Sequence, residues 1–182
     1  MNKIAKSLLA ATVFLTVAAC SNNVGGKENE YEKAEKEAFK TSMNYVTYKE
    51  RGDNSKWIPL LKDSSDFESE KSEKSFDFKD VKDKKVEKYG IAEYEMVPGK
   101  KYFFDIRFKD IREGNIDERY LMLDKVNGKF KITDYDIIGK FIEKKDFKNK
   151  EGEMIKPIYN FSTGLSEKEK EELKPSSITT ND

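Results

Sequence analysis

The stretch "RYLMLDKVNGKFKITDY", residues 119–135, constrains the fold of this 182-residue chain more than any other. Asn127-Gly128 sits between two runs in which apolar and polar residues alternate. Alternation at period two marks a half-buried strand. Asn-Gly is the strongest short hairpin signal, because both central residues of a type I′ turn need positive φ. A two-residue loop sets Val126 opposite Lys129 and Lys125 opposite Phe130. One sheet face then carries Leu121, Leu123, Phe130 and Ile132, and the other carries Tyr120, Met122, Asp124, Lys131 and Thr133. A one-residue slip would turn every apolar side chain to water, so the first face is the core face.

Further strands are expected at 76–81, 87–96 and 101–109, making an antiparallel meander with 119–126 and 129–137. In 101–109, Tyr102, Phe104, Ile106 and Phe108 point inward. The turn "MVPGK" admits two registers. A two-residue loop at Pro98-Gly99 would set Glu93 and Glu95 on the apolar face. A three-residue loop, 97–99, sets Gly90, Ala92, Tyr94 and Met96 there instead. Burying a carboxylate is costly, so the second register is expected. Glu93, Glu95, Asp105 and Arg107 would then form a solvated outer face.

Upstream, Tyr31, Ala34, Ala38, Phe39, Met43 and Val46 recur at spacings of three and four, an amphipathic helix that Gly52 ends. "KWIPLLKD" reads as a short second helix with Pro59 in its first turns. Near the C-terminus "MIKPIYNF" has the apolar content to pack back on the domain. "SEKEKEELK" is a short helix opened by a Ser166/Glu169 capping box, with Pro175 just beyond it. The expected class is therefore α+β, a helix packed on a curved antiparallel meander.

Composition excludes several chemistries. Basic and acidic residues number 35 each, so no net field draws nucleic acid. The chain has no histidine, hence no imidazole base, ligand or pH switch. A single cysteine, Cys20, excludes an internal disulfide and any multi-cysteine zinc site. No spaced-acid calcium loop or glycine-rich phosphate loop occurs. No metal site and no cofactor are expected.

Cys20 follows Lys3, Lys6, a 13-residue apolar run at 7–19 and the small pair Ala18-Ala19. That is the layout of a secretory signal, and the run is too short to span a bilayer. Val17-Ala18-Ala19-Cys20 resembles the lipobox of bacterial lipoproteins. The resemblance implies cleavage before Cys20, diacylglycerol on its thiol, and a lipid-anchored place on the extracytoplasmic face of the cell membrane. Loss of Lys3 and Lys6 would leave 33 basic against 35 acidic residues. The expected organisation is signal peptide at 1–19, flexible tether at 20–30, α+β domain at 31–142, and a charged extension with a short helix and disordered tail at 143–182.

The order of elements, with "YLMLDKVNGKFKITDYDII" as a final hairpin, resembles the nuclear-transport-factor-two-like and cystatin-like folds, in which a sheet wraps a helix into a cone. Such folds host enzymes, binders and assembly modules alike. The same hairpin register sets Arg119 opposite Asp136 and Leu121 opposite Asp134, so Arg119, Asp134 and Asp136 share the inward face at the sheet's end. They are the candidate pocket mouth, with Trp57, Tyr94 and Tyr102 as candidate walls. The plainer reading is a cross-strand ion pair at a sheet end. The expected role is a non-catalytic module that binds a protein partner or small ligand. The alternatives are a small histidine-independent hydrolase or isomerase, and an assembly or immunity component of a cell-surface system.

Overall fold

The computed structural model describes residues 29–63, 79–135 and 147–175. The fold is α+β: helix α1 (Glu30–Glu50) packs on one face of a five-stranded antiparallel sheet. Its strands are β1 (Tyr89–Val97), β2 (Lys101–Lys109), β3 (Ile116–Val126), β4 (Lys129–Tyr135) and β5 (Ile158–Phe161), in the order β4-β3-β2-β1-β5. Two short helices complete it, α2 (Asn54–Trp57) and α3 (Glu167–Glu172).

Helix α1 starts where the Asn29 side chain accepts the Tyr31 N–H and where Glu30 and Glu32 meet the positive helix end. It buries Ala34, Ala38, Ser42, Tyr45 and Val46 at spacings of three and four. Gly52 ends it at φ 68°, and the Asp53 N–H reaches back to the Tyr48 carbonyl. Beyond α2, a 3-10 turn at Ile58–Leu60 brings the Leu61 backbone against Ile132 at the β4 edge. The strand expected at 76–81 is not formed at its described end: Lys79–Val81 is a 3-10 turn, and 76–78 lie outside the described residues.

The Asn-Gly hairpin forms as read, with φ 50° at Asn127 and 79° at Gly128, and Val126, Lys125 and Leu123 face Lys129, Phe130 and Ile132. Beyond Ile132 the register shifts. Thr133 is an extra residue, its hydroxyl on the Met122 carbonyl, so Asp134 pairs with Met122 and Tyr135 with Leu121.

The β1–β2 register contradicts the expectation. Glu93 pairs with Phe104 and Glu95 with Tyr102, so both glutamates share the inward face. Two facts offset the cost. The Glu95 carboxylate accepts both the Gly99 N–H (2.8 Å) and the Tyr102 hydroxyl (3.0 Å). In return, Ala92 and Tyr94 turn outward onto Phe103, where they are equally buried.

That outer face is not solvated. Phe147 seals Ala92, Tyr94 and Phe103 from above, with its ring edge-on to Tyr94 and Phe103. The segment 154–161 packs back as expected and adds β5 beside β1. Helix α3 carries the expected Ser166/Glu169 capping box, and Leu173 after it is fully buried. A Cβ at Gly90 would lie 2.1 Å from the Leu173 carbonyl oxygen, so only glycine lets the C-terminal segment lie this close. The sheet thus has a core on each side. The larger lies under α1 and is built around Tyr45, Trp57, Tyr102, Phe104 and Phe108. The boundary expected at 142–143, and the tail beyond 175, lie outside the described residues.

Candidate functional site

Among the described residues, those expected at a pocket mouth and its walls are not brought together. Trp57 is buried in the α1-side core, edge-on to Tyr45, its indole N–H donating to Asn54 Oδ1 at 3.0 Å. Tyr102 lies in the same core against Phe104 and Phe130. Tyr94 is on the opposite side of the sheet, in contact with Phe103 and Phe147. The three aromatic rings therefore cannot wall one cavity. Arg119 does face the α1 side, but its guanidinium meets Asp117 Oδ2 at 2.7 Å and Glu50 Oε1 at 3.5 Å. The bulge at Thr133 moves Asp134 out of the Leu121 row, so Asp134 does not stand where the unbroken hairpin count put it, and Asp136 lies outside the described residues. Cys20 also lies outside them.

What the fold does assemble is three buried carboxyl groups, each from a different cause. Glu50 ends α1 with a side chain 2% exposed, held by Arg112 at 3.1 Å and Arg119 at 3.5 Å. Burial raises its pKa, and the two guanidinium groups offset this only in part. Glu93, 3% exposed, faces α1. Burial, and then the charges of Glu35 and Glu95, push it up to about 8, so it stays protonated at neutral pH.

Asp105 is wholly buried on the outer face, and neither of its oxygens finds a partner as a carboxylate, nor does Glu118 Oε1. One proton resolves this: burial, and then the adjacent Glu118, raise the Asp105 pKa, and protonated Asp105 hydrogen-bonds to Glu118. Tyr120 beside them is shifted up as well, by burial and then by the Asp105 and Glu118 charges. Reading Glu93 and Asp105 as solvated was therefore an error of register and of cover, whereas Glu95, although it lies in the inward row, is exposed as expected. One signal was present: the face that holds Asp105 also holds Phe103, Tyr120 and Met122, too apolar a row to leave in water.

Two open clefts lie at the end of the sandwich where α1 finishes. One, about 660 Å³, runs between Lys84, Lys85 and Lys88 on one side and Lys109, Asp110 and Ile111 on the other. The second, about 290 Å³, lies beside it over Phe39, Met43, Tyr48 and Tyr89. Neither is lined by Glu50, Glu93 or Asp105. Among the described residues no three acidic or thiol side chains are grouped to hold a metal ion, and no helix is long and apolar enough to cross a membrane. Compared with models of protein families, with characterised proteins and with solved structures, the chain gives no match.

Proposed function

We propose that this chain is a bacterial lipoprotein, cleaved before Cys20 and lipidated on its thiol. Its folded part is a non-catalytic binding or interaction module at the extracytoplasmic face of the membrane. One observation carries the reading: Val17-Ala18-Ala19-Cys20 closes an apolar run that follows two lysines, and holds the only thiol of the chain. Physically, one acyl chain binds a bilayer marginally and two bind it durably, so diacylglycerol at Cys20 is an anchor and not a reactive centre. The helix-first order and the α1-covered meander support a nuclear-transport-factor-two-like or cystatin-like cone. Its interior is filled by Tyr45, Trp57, Tyr102 and Phe104, which leaves it to act through its surface. Labelling cells with a palmitate analogue tests the anchor: the native chain takes the label and sediments with membranes, and Cys20→Ala loses both. A Cys20→Ala chain that remains membrane-bound contradicts the proposal.

A second reading, a histidine-independent hydrolase or isomerase, is favoured by Glu93, a carboxyl group kept protonated near neutral pH as a general acid must be. It ranks second because both clefts are lined by other residues.

A further inference from the structure

Three parts of the fold meet at the end of the sandwich opposite those clefts. The first turn of α1 packs on the β1–β2 turn: the Tyr31 ring lies 3.2 Å from where a Cβ on Gly99 would stand. The two hairpin turns abut, the Lys125 N–H donating to the Lys100 carbonyl at 2.8 Å. This end presents Lys100, Lys125 and Lys129, all exposed, and the half-buried Lys101. Set among them are Val97, 39% exposed, and Tyr31, 56% exposed. Asp124 pairs across from Lys101, the exposed Glu95 carboxylate sits on the β1–β2 turn, and Glu30 and Glu32 lie on the first helical turn, so the hairpin tips themselves carry four lysines against two acids.

The chain enters the fold at this same end. Asn29 caps α1, and only residues 20–28 separate it from Cys20. A random-coil linker of nine residues has an r.m.s. reach of about 15–18 Å, so a chain anchored through one keeps these tips close to the bilayer. We infer that the two hairpin tips and the first turn of α1 form a membrane-contact surface that rests on anionic lipid headgroups. This deepens the lipid-anchor reading and rests on it. Each lysine within reach of an anionic leaflet strengthens contact about fivefold, and the attraction fades over a Debye length of about 8 Å. The far end of α1 is about 30 Å away, so the lysines of the large cleft contribute nothing once the chain is oriented by its anchor. Tyr31 and Val97 bring an amphipathic ring and an aliphatic group to headgroup depth, where tyrosine is favoured.

The single thiol makes the test direct. The chain from residue 20 onward holds every described residue, and its Cys20 can be coupled to a maleimide-bearing lipid in vesicles. Val97→Trp then reports the tips, and Glu113→Trp, on the exposed β2–β3 loop, reports the opposite end. Trp57 is 1% exposed and gives a constant background. On vesicles containing phosphatidylglycerol, Trp emission at 97 shifts to shorter wavelength and that at 113 does not. On phosphatidylcholine alone neither shifts. Charge reversal of Lys100, Lys101, Lys125 and Lys129 to Glu abolishes the shift at 97, with near-UV circular dichroism as the check on folding. Equal emission at 97 on the two lipids, or equal shifts at 97 and 113, overturns the inference. Because the coupling is chemical, this result is independent of whether cells lipidate Cys20, which the mass of the native protein reports separately.

Discussion

Replacing Glu93 by Gln should stabilise the protein, although it changes a fully packed residue. The reasoning is a linkage argument. The folded protein holds Glu93 protonated up to about pH 8, whereas the unfolded chain releases that proton near the ordinary value of 4.5. Between those limits the folded state binds more protons, so this group's contribution is fully present below about pH 4.5 and is lost as pH rises towards 8. Each pH unit crossed costs about 1.4 kcal/mol. The handicap is therefore about 3 kcal/mol at pH 7 and levels off near 5 kcal/mol above pH 9. Gln has nearly the same shape and no charge to bury, and its amide can donate towards the Glu35 and Glu95 carboxylates that repel the native side chain. Asp105 titrates on the opposite face and is present in both proteins, so it cancels in the difference. Urea unfolding of the native chain and Glu93→Gln at pH 4, 7 and 9 is the assay. The expected gain is near zero at pH 4, about 3 kcal/mol at pH 7, and larger at pH 9. A gain that does not change with pH, or a loss of 1 kcal/mol or more at pH 7, refutes the burial and register argued for Glu93.

Two further predictions probe the C-terminal cover and the ion pair at the end of α1. Gly90→Ala drives a Cβ into the Leu173 carbonyl and the Phe161 ring. It should cost about 1–3 kcal/mol and open 158–175 to protease before the rest of the chain; unchanged protection there would mean that the segment does not lie on β1. Arg119→Ala leaves Glu50 buried with one guanidinium fewer, and should cost about 1–3 kcal/mol at pH 7. In a Glu50→Gln background the same substitution should cost clearly less, and equal costs in the two urea series would remove the pair from the account.

Much of the sheet was legible from local chemistry. Asn127-Gly128 located the hairpin, and its register held from Val126 as far as Leu123–Ile132. It failed at Thr133, because a bulge adds a residue without altering the alternating pattern around it. The β1–β2 register failed for a different reason. A rule against buried carboxylates assumes charged, unpartnered groups. Glu95 stays exposed at the end of the row and has two donors, one supplied by the turn whose geometry was in question, and Glu93 escapes the rule by keeping its proton. The burial of this outer face was missed because part of its cover comes from far along the chain. Phe147 stands in the charged run "KKDFKNKEGE", whose composition gives no hint that one ring closes over Phe103. The pocket mouth at Arg119 depended on carrying the hairpin count past the bulge, which sets Asp134 opposite Met122 instead of Leu121, while Asp136 lies outside the described residues.

Intact-mass analysis of the protein from its native membrane, followed by N-terminal fragmentation, tests the central claim most directly. The account predicts a chain that begins at Cys20 and carries the mass of diacylglycerol on that residue. A chain that begins elsewhere, or a Cys20 with a bare thiol, contradicts it.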